Sequence, residues 1–390
     1  MNKRPVNTSG TVSKSKPEGA WVHDAGRRRA NLALQGGGSH GAFTWGVLDA
    51  LLADGRVAFD GISGTSAGAM NAVALAHGFA SVQGKPKADP REAAREALAN
   101  FWEGIVAMGE VTSTISKAQR APFDILFGGF GAMNATNPFD GLASGFSDAV
   151  TSFWSGTVSP YQSNPLDINP LRDFLETKID FKRLAAANAP KVFVVATAVA
   201  TGKAEVFTGK RLTAKAVMAS ACLPTVFRAV EIDGHHYWDG GFAGNPAIHP
   251  LIYNCDSRDI VLVQINPIKR DKLPTTAGEI IDRVNEITFN AALIAEMRAI
   301  DFVKRLLAEG KLDPKRYKNV LMHRIDGGET LEAFHASTKA QTDGHLIHTL
   351  HALGVACAKE WLGHTFHRLG VEPSINVARD YLDDLRVPAK

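Results

Sequence analysis

The sequence contains few cysteines and no long apolar run. Its three cysteines, Cys222, Cys255 and Cys357, are odd in number and widely separated, which indicates neither a disulfide framework nor a zinc site. No uninterrupted apolar stretch is long enough to cross a bilayer, and the N-terminal residues lack the apolar segment of a secretory signal. We therefore expect a cytoplasmic protein with reduced thiols.

Outside the first thirty residues, basic and acidic residues nearly balance. The formal net charge of the 390-residue chain is +3, and residues 1–30 alone carry a positive excess of five. The rest of the chain is close to neutral, so we expect no nucleic-acid partner. Residues 1–29 are predicted to be a disordered basic tail. The cluster of Arg27, Arg28 and Arg29 could contact anionic membrane lipid at the surface. A solvent-exposed cluster at the start of the fold is the simpler interpretation.

The composition is that of a soluble globular enzyme with a large core, at 45% hydrophobic and 21% charged residues. Apolar strands alternate with helical patterns over residues 30–272. This alternation predicts an α/β catalytic domain with a central, mostly parallel sheet flanked by helices. Ile260–Ile265 is the last apolar strand in the pattern. From Thr276 onwards apolar residues recur at helical spacing, so residues 273–390 are predicted to be a helical C-terminal extension.

A short turn centred on Ser66 suggests nucleophilic chemistry. Gly64-Thr65-Ser66-Ala67-Gly68 follows an apolar strand and precedes an Ala-rich helix. A strand that turns sharply into a helix strains the residue at the apex, and the positions two before and two after it must lack bulk. The hydroxyl of Ser66 is then presented to substrate beside the positive end of the helix. Ser66 is therefore a candidate nucleophile.

A glycine loop precedes this turn. It follows the strand Asn31–Gln35 and reads Gly36-Gly37-Gly38-Ser39-His40-Gly41 before a helix begins. Backbone N–H groups of such a loop point into one space and can hold a phosphate or a tetrahedral oxyanion. The same glycines fit a dinucleotide-binding fingerprint, with Asp54 or Asp60 near the position of an acidic ribose ligand. The serine turn that follows favours acyl transfer instead.

Two later motifs complete the set. Ser220–Phe227 (SACLPTVF) interrupts a helix at Pro224. Asp239-Gly240-Gly241 follows a predicted hairpin, and its glycines indicate a tight turn that presents the carboxylate of Asp239 on a rigid edge.

The glycine loop, the serine turn, the break at Pro224 and the Asp239 turn, taken in this order, resemble the patatin-like phospholipases, also called lipid acyl hydrolases, over roughly residues 30–270. The resemblance implies a patatin-like three-layer sandwich and a Ser–Asp dyad, with Ser66 as the nucleophile and Asp239 as the base. The glycines it implies in the site are Gly36, Gly37, Gly38 and Gly41 for the oxyanion hole (chiefly the N–H groups of Gly37 and Gly38), Gly64 and Gly68 for the nucleophile elbow, and Gly240 and Gly241 for the Asp loop.

The resemblance also implies an activity. Acyl esters of phospholipids or related lipids would be cleaved through an acyl-Ser66 intermediate, which water activated by Asp239 would then hydrolyse. No metal or cofactor is implied. The family usually carries Arg or Lys where His40 stands, so the preference for a phospholipid head group stays open. Acyl-chain length, sn position, transfer to acceptors other than water, regulation and oligomeric state stay open as well.

Two other functions are compatible with parts of the sequence. A conventional Ser-His-Asp hydrolase would need a histidine after Asp239, such as His249. A nucleotide- or lipid-binding module would use the glycine loop as a cradle, with Ser66 purely structural.

Two regions carry weaker signals. Residues 111–165 are rich in Gly, Ala, Ser and aromatic residues, and they are predicted to be either an apolar, lid-like insertion or an ordinary buried loop layer. Histidines at helical spacing near the C terminus could bind a metal, but no nearby carboxylate or cysteine completes a set, so we expect no metal site. They are His345, His348, His351, His364 and His367.

Overall fold

The computed structural model of the protein describes residues 26–114, 160–163, 170–186, 189–224, 227–334, 338–339 and 342–382. The predicted basic tail up to residue 25 and most of the predicted lid at residues 111–165 lie outside the described residues. Both therefore stay predictions.

The strands of the described residues form one mixed sheet. Their bounds are β1 Arg28–Leu34, β2 Val57–Gly64, β3 Lys191–Ala198, β4 Ala204–Phe207, β5 Val230–Ile232, β6 His235–Asp239, β7 Asp259–Gln264 and β8 Leu321–Asp326. The order is β5-β6-β3-β2-β1-β7-β8, and β4 also pairs with β3. The five strands from β3 to β8 in this order are parallel, whereas β4, β5 and β6 pair antiparallel.

Helices cover both faces of this sheet. Their bounds are α1 Gly41–Asp54, α2 Ala67–Ser81, α3 Pro90–Thr114, α4 Pro160–Ser163, α5 Pro170–Lys178, α6 Phe181–Ala186, α7 Ala214–Ser220, α8 His249–Asn254, α9 Ala277–Ala308, α10 Gly328–Glu332, α11 Gly344–His364 and α12 Val377–Tyr381. In the part of the chain that the structure describes, no helix is both long enough and apolar enough to cross a membrane.

Two hydrophobic clusters, one on each face of the sheet, form the core. Successive side chains of a strand point to opposite faces, and Leu32 and Leu34 of β1 pack in one cluster while Ala33 packs in the other. The first cluster includes α1, α2, α3 and α11, and the second includes α8, α9 and α12. The predicted α/β class, a central sheet between two helical layers, is confirmed.

The C-terminal part of the chain supplies a strand as well as helices. β8 pairs in parallel with β7 and extends the sheet. This strand was not predicted, because His323 and Arg324 interrupt its apolar pattern. His323 is nevertheless fully buried, since its Nε2 forms a 3.0 Å hydrogen bond with Oδ1 of Asp259. α11 packs closely on α1, where a Cβ at Gly354 would lie 2.1 Å from the carbonyl oxygen of Phe43.

Candidate functional site

Three parallel strands end together at one edge of the sheet. β1 pairs with both β2 and β7, so Leu34, Gly64 and Val263 stand side by side near the carboxyl ends of their strands. The glycine loop follows β1, and the serine turn follows β2. This edge is where ligands bind in open α/β sheets. The sheet therefore brings together motifs that the sequence separates.

Ser66 occupies a strained turn between β2 and α2. Its φ is 52° and its ψ is −123°, a conformation that costs a non-glycine residue about 1 to 3 kcal/mol. The neighbouring glycines make room for the turn: a Cβ at Gly64 would lie 2.4 Å from the carbonyl oxygen of Gly68, and one at Gly68 would lie 2.2 Å from that of Leu34. The N–H of Ser66 donates to Oγ of Ser220 at 2.9 Å. The turn has the geometry of a nucleophile elbow.

The glycine loop lies directly against this elbow. A Cβ at Gly36 would lie 2.6 Å from the carbonyl oxygen of Thr65 and 2.8 Å from Cβ of Ser66. A Cβ at Gly41 would lie 2.7 Å from Cβ of Ala67. Glycine at these two positions lets the loop approach the serine more closely than any other residue would allow.

The backbone N–H groups of the loop have different partners. The N–H of Gly36 donates to Oδ1 of Asn245 at 2.7 Å, and that of Gly41 donates to carbonyl oxygens within the loop. The N–H groups of Gly37 and Gly38 are therefore the candidate donors to an oxyanion, whereas Gly36 and Gly41 are positions where close packing leaves no room for a side chain.

The Asp239 turn is held rigidly by backbone hydrogen bonds. The N–H of Asp239 donates to the carbonyl oxygen of Cys222 at 2.7 Å, and its Oδ1 accepts from the N–H of Gly241 at 2.7 Å. A Cβ at Gly240 would lie 2.0 Å from the carbonyl oxygen of Val195, so the turn sits tightly on β3.

Ser66 and Asp239 are in contact. Asp239 is 2% exposed, and the Ser66 side chain is near enough to its carboxylate to act on its pKa. Burial raises the pKa of Asp239 to about 7, although the N–H of Gly241 and the side chain of Ser66 oppose the shift. A carboxylate with a pKa near neutrality is a stronger base than an exposed one and is still ionised in a large fraction of molecules at pH 7.

Gly36→Ala tests how closely the glycine loop must approach the serine. The new Cβ would displace the loop or Ser66, and a misplacement of about 1 Å can cost about 100-fold in rate. We expect kcat/KM on a p-nitrophenyl ester to fall by about that factor. Gly363→Ala is the matched control, since a Cβ there meets nothing within 4 Å. A Gly36→Ala enzyme as active as this control would contradict the prediction.

Several residues of the site were not predicted. Asn245 accepts from Gly36, Ser220 accepts from Ser66, and Asn266 donates from Nδ2 to the carbonyl oxygen of Gly36 at 2.8 Å. Ser220 stands in the break that the sequence singled out, and Asn266 comes just after the buried strand β7. For Ser220 and Asn266, proximity to a motif or a buried strand was the available signal in the sequence. Their contacts in the site are with distant residues, so the sequence does not show them.

The residues that a Ser-His-Asp hydrolase or a nucleotide-binding module would use are paired with other side chains. His249 pairs with Glu296, its Nδ1 3.2 Å from Oε1. Asp54 forms an ion pair with Arg56, so the first candidate ribose ligand is held by a neighbouring side chain.

The second candidate ribose ligand and one of the C-terminal histidines also have structural partners. Asp60 accepts from the backbone N–H of Asp256 at 2.6 Å, which fixes the loop before β7. His348 lies 3.7 Å from a carboxylate oxygen of Glu103. Within the described ranges, no group of three His, Cys, Asp or Glu side chains is arranged to hold a metal ion.

Comparison with known proteins assigns the family. The chain is similar in structure to VipD from Legionella pneumophila, with 14% sequence identity and a TM-score of 0.41 over 90% of this chain and 72% of VipD; this likeness is too weak to support a conclusion. No curated protein matches the sequence. The family model described as patatin-like phospholipase matches residues 32–252, which is more than half of the chain. The chain therefore belongs to the patatin-like phospholipase family, and its activity is that of a lipid ester hydrolase in general.

Proposed function

We propose that this protein cleaves acyl esters of phospholipids or related lipids with a Ser66–Asp239 dyad. The observation that carries the proposal is the position of the Ser66 side chain beside the buried carboxylate of Asp239, close enough to lower the pKa of that carboxyl. Membership of the family supports a lipid ester as the substrate. The strained turn at Ser66 and the adjoining glycine loop support acyl transfer at this serine.

In the proposed mechanism Asp239 accepts the proton of Ser66 as Oγ attacks the acyl carbonyl carbon. The carbonyl oxygen becomes an oxyanion, which the N–H groups of Gly37 and Gly38 stabilise. The N-terminal end of α2 adds favourable electrostatic potential at the same place. Protonated Asp239 then gives its proton to the leaving alcohol, and the acyl group stays on Ser66.

The second half of the reaction repeats these steps with water. Asp239, again a carboxylate, accepts a proton from a water molecule that attacks the acyl carbonyl carbon. The same oxyanion site stabilises the second tetrahedral intermediate. Collapse of that intermediate releases the fatty acid and returns the proton to Ser66.

We further propose a division of the chain into a catalytic domain at residues 30–272 and a C-terminal extension at 273–390. The match of the family model to residues 32–252 supports the first part. The extension contributes β8 to the edge of the sheet and α11 to the face that carries α1. It is therefore expected to be required for the stability of the catalytic part.

A pH–rate profile tests the proposed dyad. Hydrolysis of a short p-nitrophenyl ester and of phosphatidylcholine vesicles would be measured in EDTA between pH 5 and pH 9. Since Asp239 must be ionised to act as a base, kcat/KM should rise with pH through an apparent pKa of about 7. The apparent pKa should be the same on both substrates, because the pH dependence of kcat/KM reports the pKa of a group in the free enzyme. A profile without this rise would contradict the role of Asp239, and no hydrolysis of either substrate would contradict the proposed activity.

A further inference from the structure

The glycine loop has no charged side chain of its own. His40 is buried, and burial, followed by the positive charges of Lys339 and Arg270, holds its pKa well below the usual range. Its ring is therefore neutral at pH 7. Nε2 of His40 forms a 2.8 Å hydrogen bond with Oγ1 of Thr338. This contact brings a segment of the C-terminal part, 298 residues away in sequence, against the loop.

Lys339 follows Thr338 and is connected to the loop through one side chain. Its Nζ donates to Oδ1 of Asn266 at 2.8 Å. The amide nitrogen of Asn266 donates in turn to the carbonyl oxygen of Gly36 at 2.8 Å, and its backbone N–H donates to Oε1 of Gln35 at 2.9 Å. A continuous chain of hydrogen bonds thus runs from an ammonium group to the first peptide of the glycine loop.

We propose that Lys339 is a positioning residue that orients and polarises the Gly36–Gly37 peptide through Asn266, and so strengthens the N–H of Gly37 as a donor to the oxyanion. This inference rests on the proposed function. The peptide is trans and planar, so its C=O and N–H point in opposite directions. A donor that fixes the carbonyl oxygen of Gly36 therefore also fixes the direction of the Gly37 N–H.

Polarisation along the chain adds to this orientation. The ammonium group withdraws electron density from the amide of Asn266, which makes the Nδ2 group of Asn266 a stronger donor. The carbonyl oxygen of Gly36 accepts from this stronger donor, and the N–H of Gly37 in the same peptide becomes more acidic as a result. Hydrogen bonds in such chains strengthen one another by about 10 to 30% per bond. The effect is greater in the transition state than in the bound ester, because negative charge develops there on the carbonyl oxygen.

The charges around Lys339 decide how its own protonation depends on pH. Burial lowers its pKa, and the nearby carboxylates of Glu286 and Asp282 in α9 partly oppose the shift, while Arg270 reinforces it. Glu286 is itself paired with Arg270, 2.6 Å from Nη2, and with Arg283 at 3.1 Å. His40, on the loop side, is neutral. Lys339 therefore loses its proton at a lower pH than an exposed lysine, and with it the polarising charge.

Steady-state kinetics of Lys339→Met in the full chain test the proposal. On a p-nitrophenyl ester we expect kcat to fall about 10-fold to 100-fold with KM nearly unchanged, which is less than the roughly 100-fold to 1,000-fold that loss of a direct oxyanion donor costs. The Ki of an alkyl trifluoromethyl ketone, which adds to the serine and leaves an oxyanion, should rise by the same factor. Lys339→Arg should recover most of the activity. Lys269→Met is the matched control, since that side chain is 84% exposed and pairs with Asp271.

The pH dependence separates polarisation from a structural role. The wild-type kcat should decline at alkaline pH as Lys339 deprotonates, and Lys339→Met should lack this decline. If Lys339→Met does not fold, the affinity for the trifluoromethyl ketone is measured against pH in wild type and in Lys339→Gln. Wild type should lose affinity at alkaline pH, and Lys339→Gln should not. An active wild type with Lys339→Met at full kcat would overturn this inference alone. Parallel changes in kcat and KM would overturn it too, whereas a wild type that cleaves no ester would overturn the proposed function as well.

Discussion

Ser66→Ala and Asp239→Asn should each lower kcat by about four to six orders of magnitude, because groups that act as a unit in nucleophilic catalysis each account for nearly the whole effect. Ser66→Ala removes the atom that carries the acyl group. Asp239→Asn keeps an oxygen that can accept from Gly241 at 2.7 Å but removes the base. The double variant should be no less active than either single variant, since neither group works without the other.

The measurement is hydrolysis of a p-nitrophenyl ester and of phospholipid vesicles by the three variants, each shown to fold by circular dichroism. His249→Ala is the matched control. Its ring pairs with Glu296, so we expect activity within about threefold of wild type. If His249→Ala loses activity by several orders of magnitude, the enzyme is of the Ser-His-Asp type. If Ser66→Ala is fully active, the nucleophile is elsewhere.

The motifs of the site could be read from the sequence because their constraints are local. At Gly64 and Gly68 a side chain would collide with backbone atoms within 2.4 Å, so the turn around Ser66 restricts the neighbouring residue types directly. The strands before Gly36 and Ser66 are short apolar runs, and their ends mark the edge of the sheet where both motifs meet. The fold class follows from the same alternation of strands and helices.

The supporting residues of the site could not be predicted, because each acts across a long sequence separation. Asn245 and Gly36 are 209 residues apart, and Asn266 is 73 residues from Lys339. No local pattern distinguishes a lysine that contacts the glycine loop from any other lysine. β8 was missed for a related reason: the polar His323 fits in a buried strand only because Asp259 of the neighbouring strand is its partner.

Asp239→Asn should also stabilise the folded protein, and increasingly so as the pH rises. The pKa of Asp239 is raised from 3.8 to about 7 by burial, so between these values the folded state holds a proton that the unfolded state has lost. The contribution of this group to stability is therefore fully present below about pH 4 and is lost as the pH rises towards and through 7. Asparagine, which is neutral throughout, does not have this dependence.

The size of the effect follows from the shift. At about 1.4 kcal/mol per pKa unit, the difference in free energy of unfolding between Asp239→Asn and wild type should grow by about 3 to 4 kcal/mol from pH 4 to pH 8, given the shift from 3.8 to about 7. Urea unfolding followed by tryptophan fluorescence at several pH values measures it. Asp271→Asn is the control, because that carboxylate is 84% exposed, and its curve should run parallel to that of wild type.

Parallel curves for Asp239→Asn and wild type would mean that the buried carboxylate is not destabilising, and the interpretation of Asp239 as a desolvated base would fail with it. The expected outcome is a variant that is more stable than wild type at pH 8 and inactive. Such a result would follow from the chemistry, because the desolvation that makes the carboxylate basic is also what makes its ionised form costly to fold. At this site the basicity needed for turnover and the loss of stability have the same physical cause.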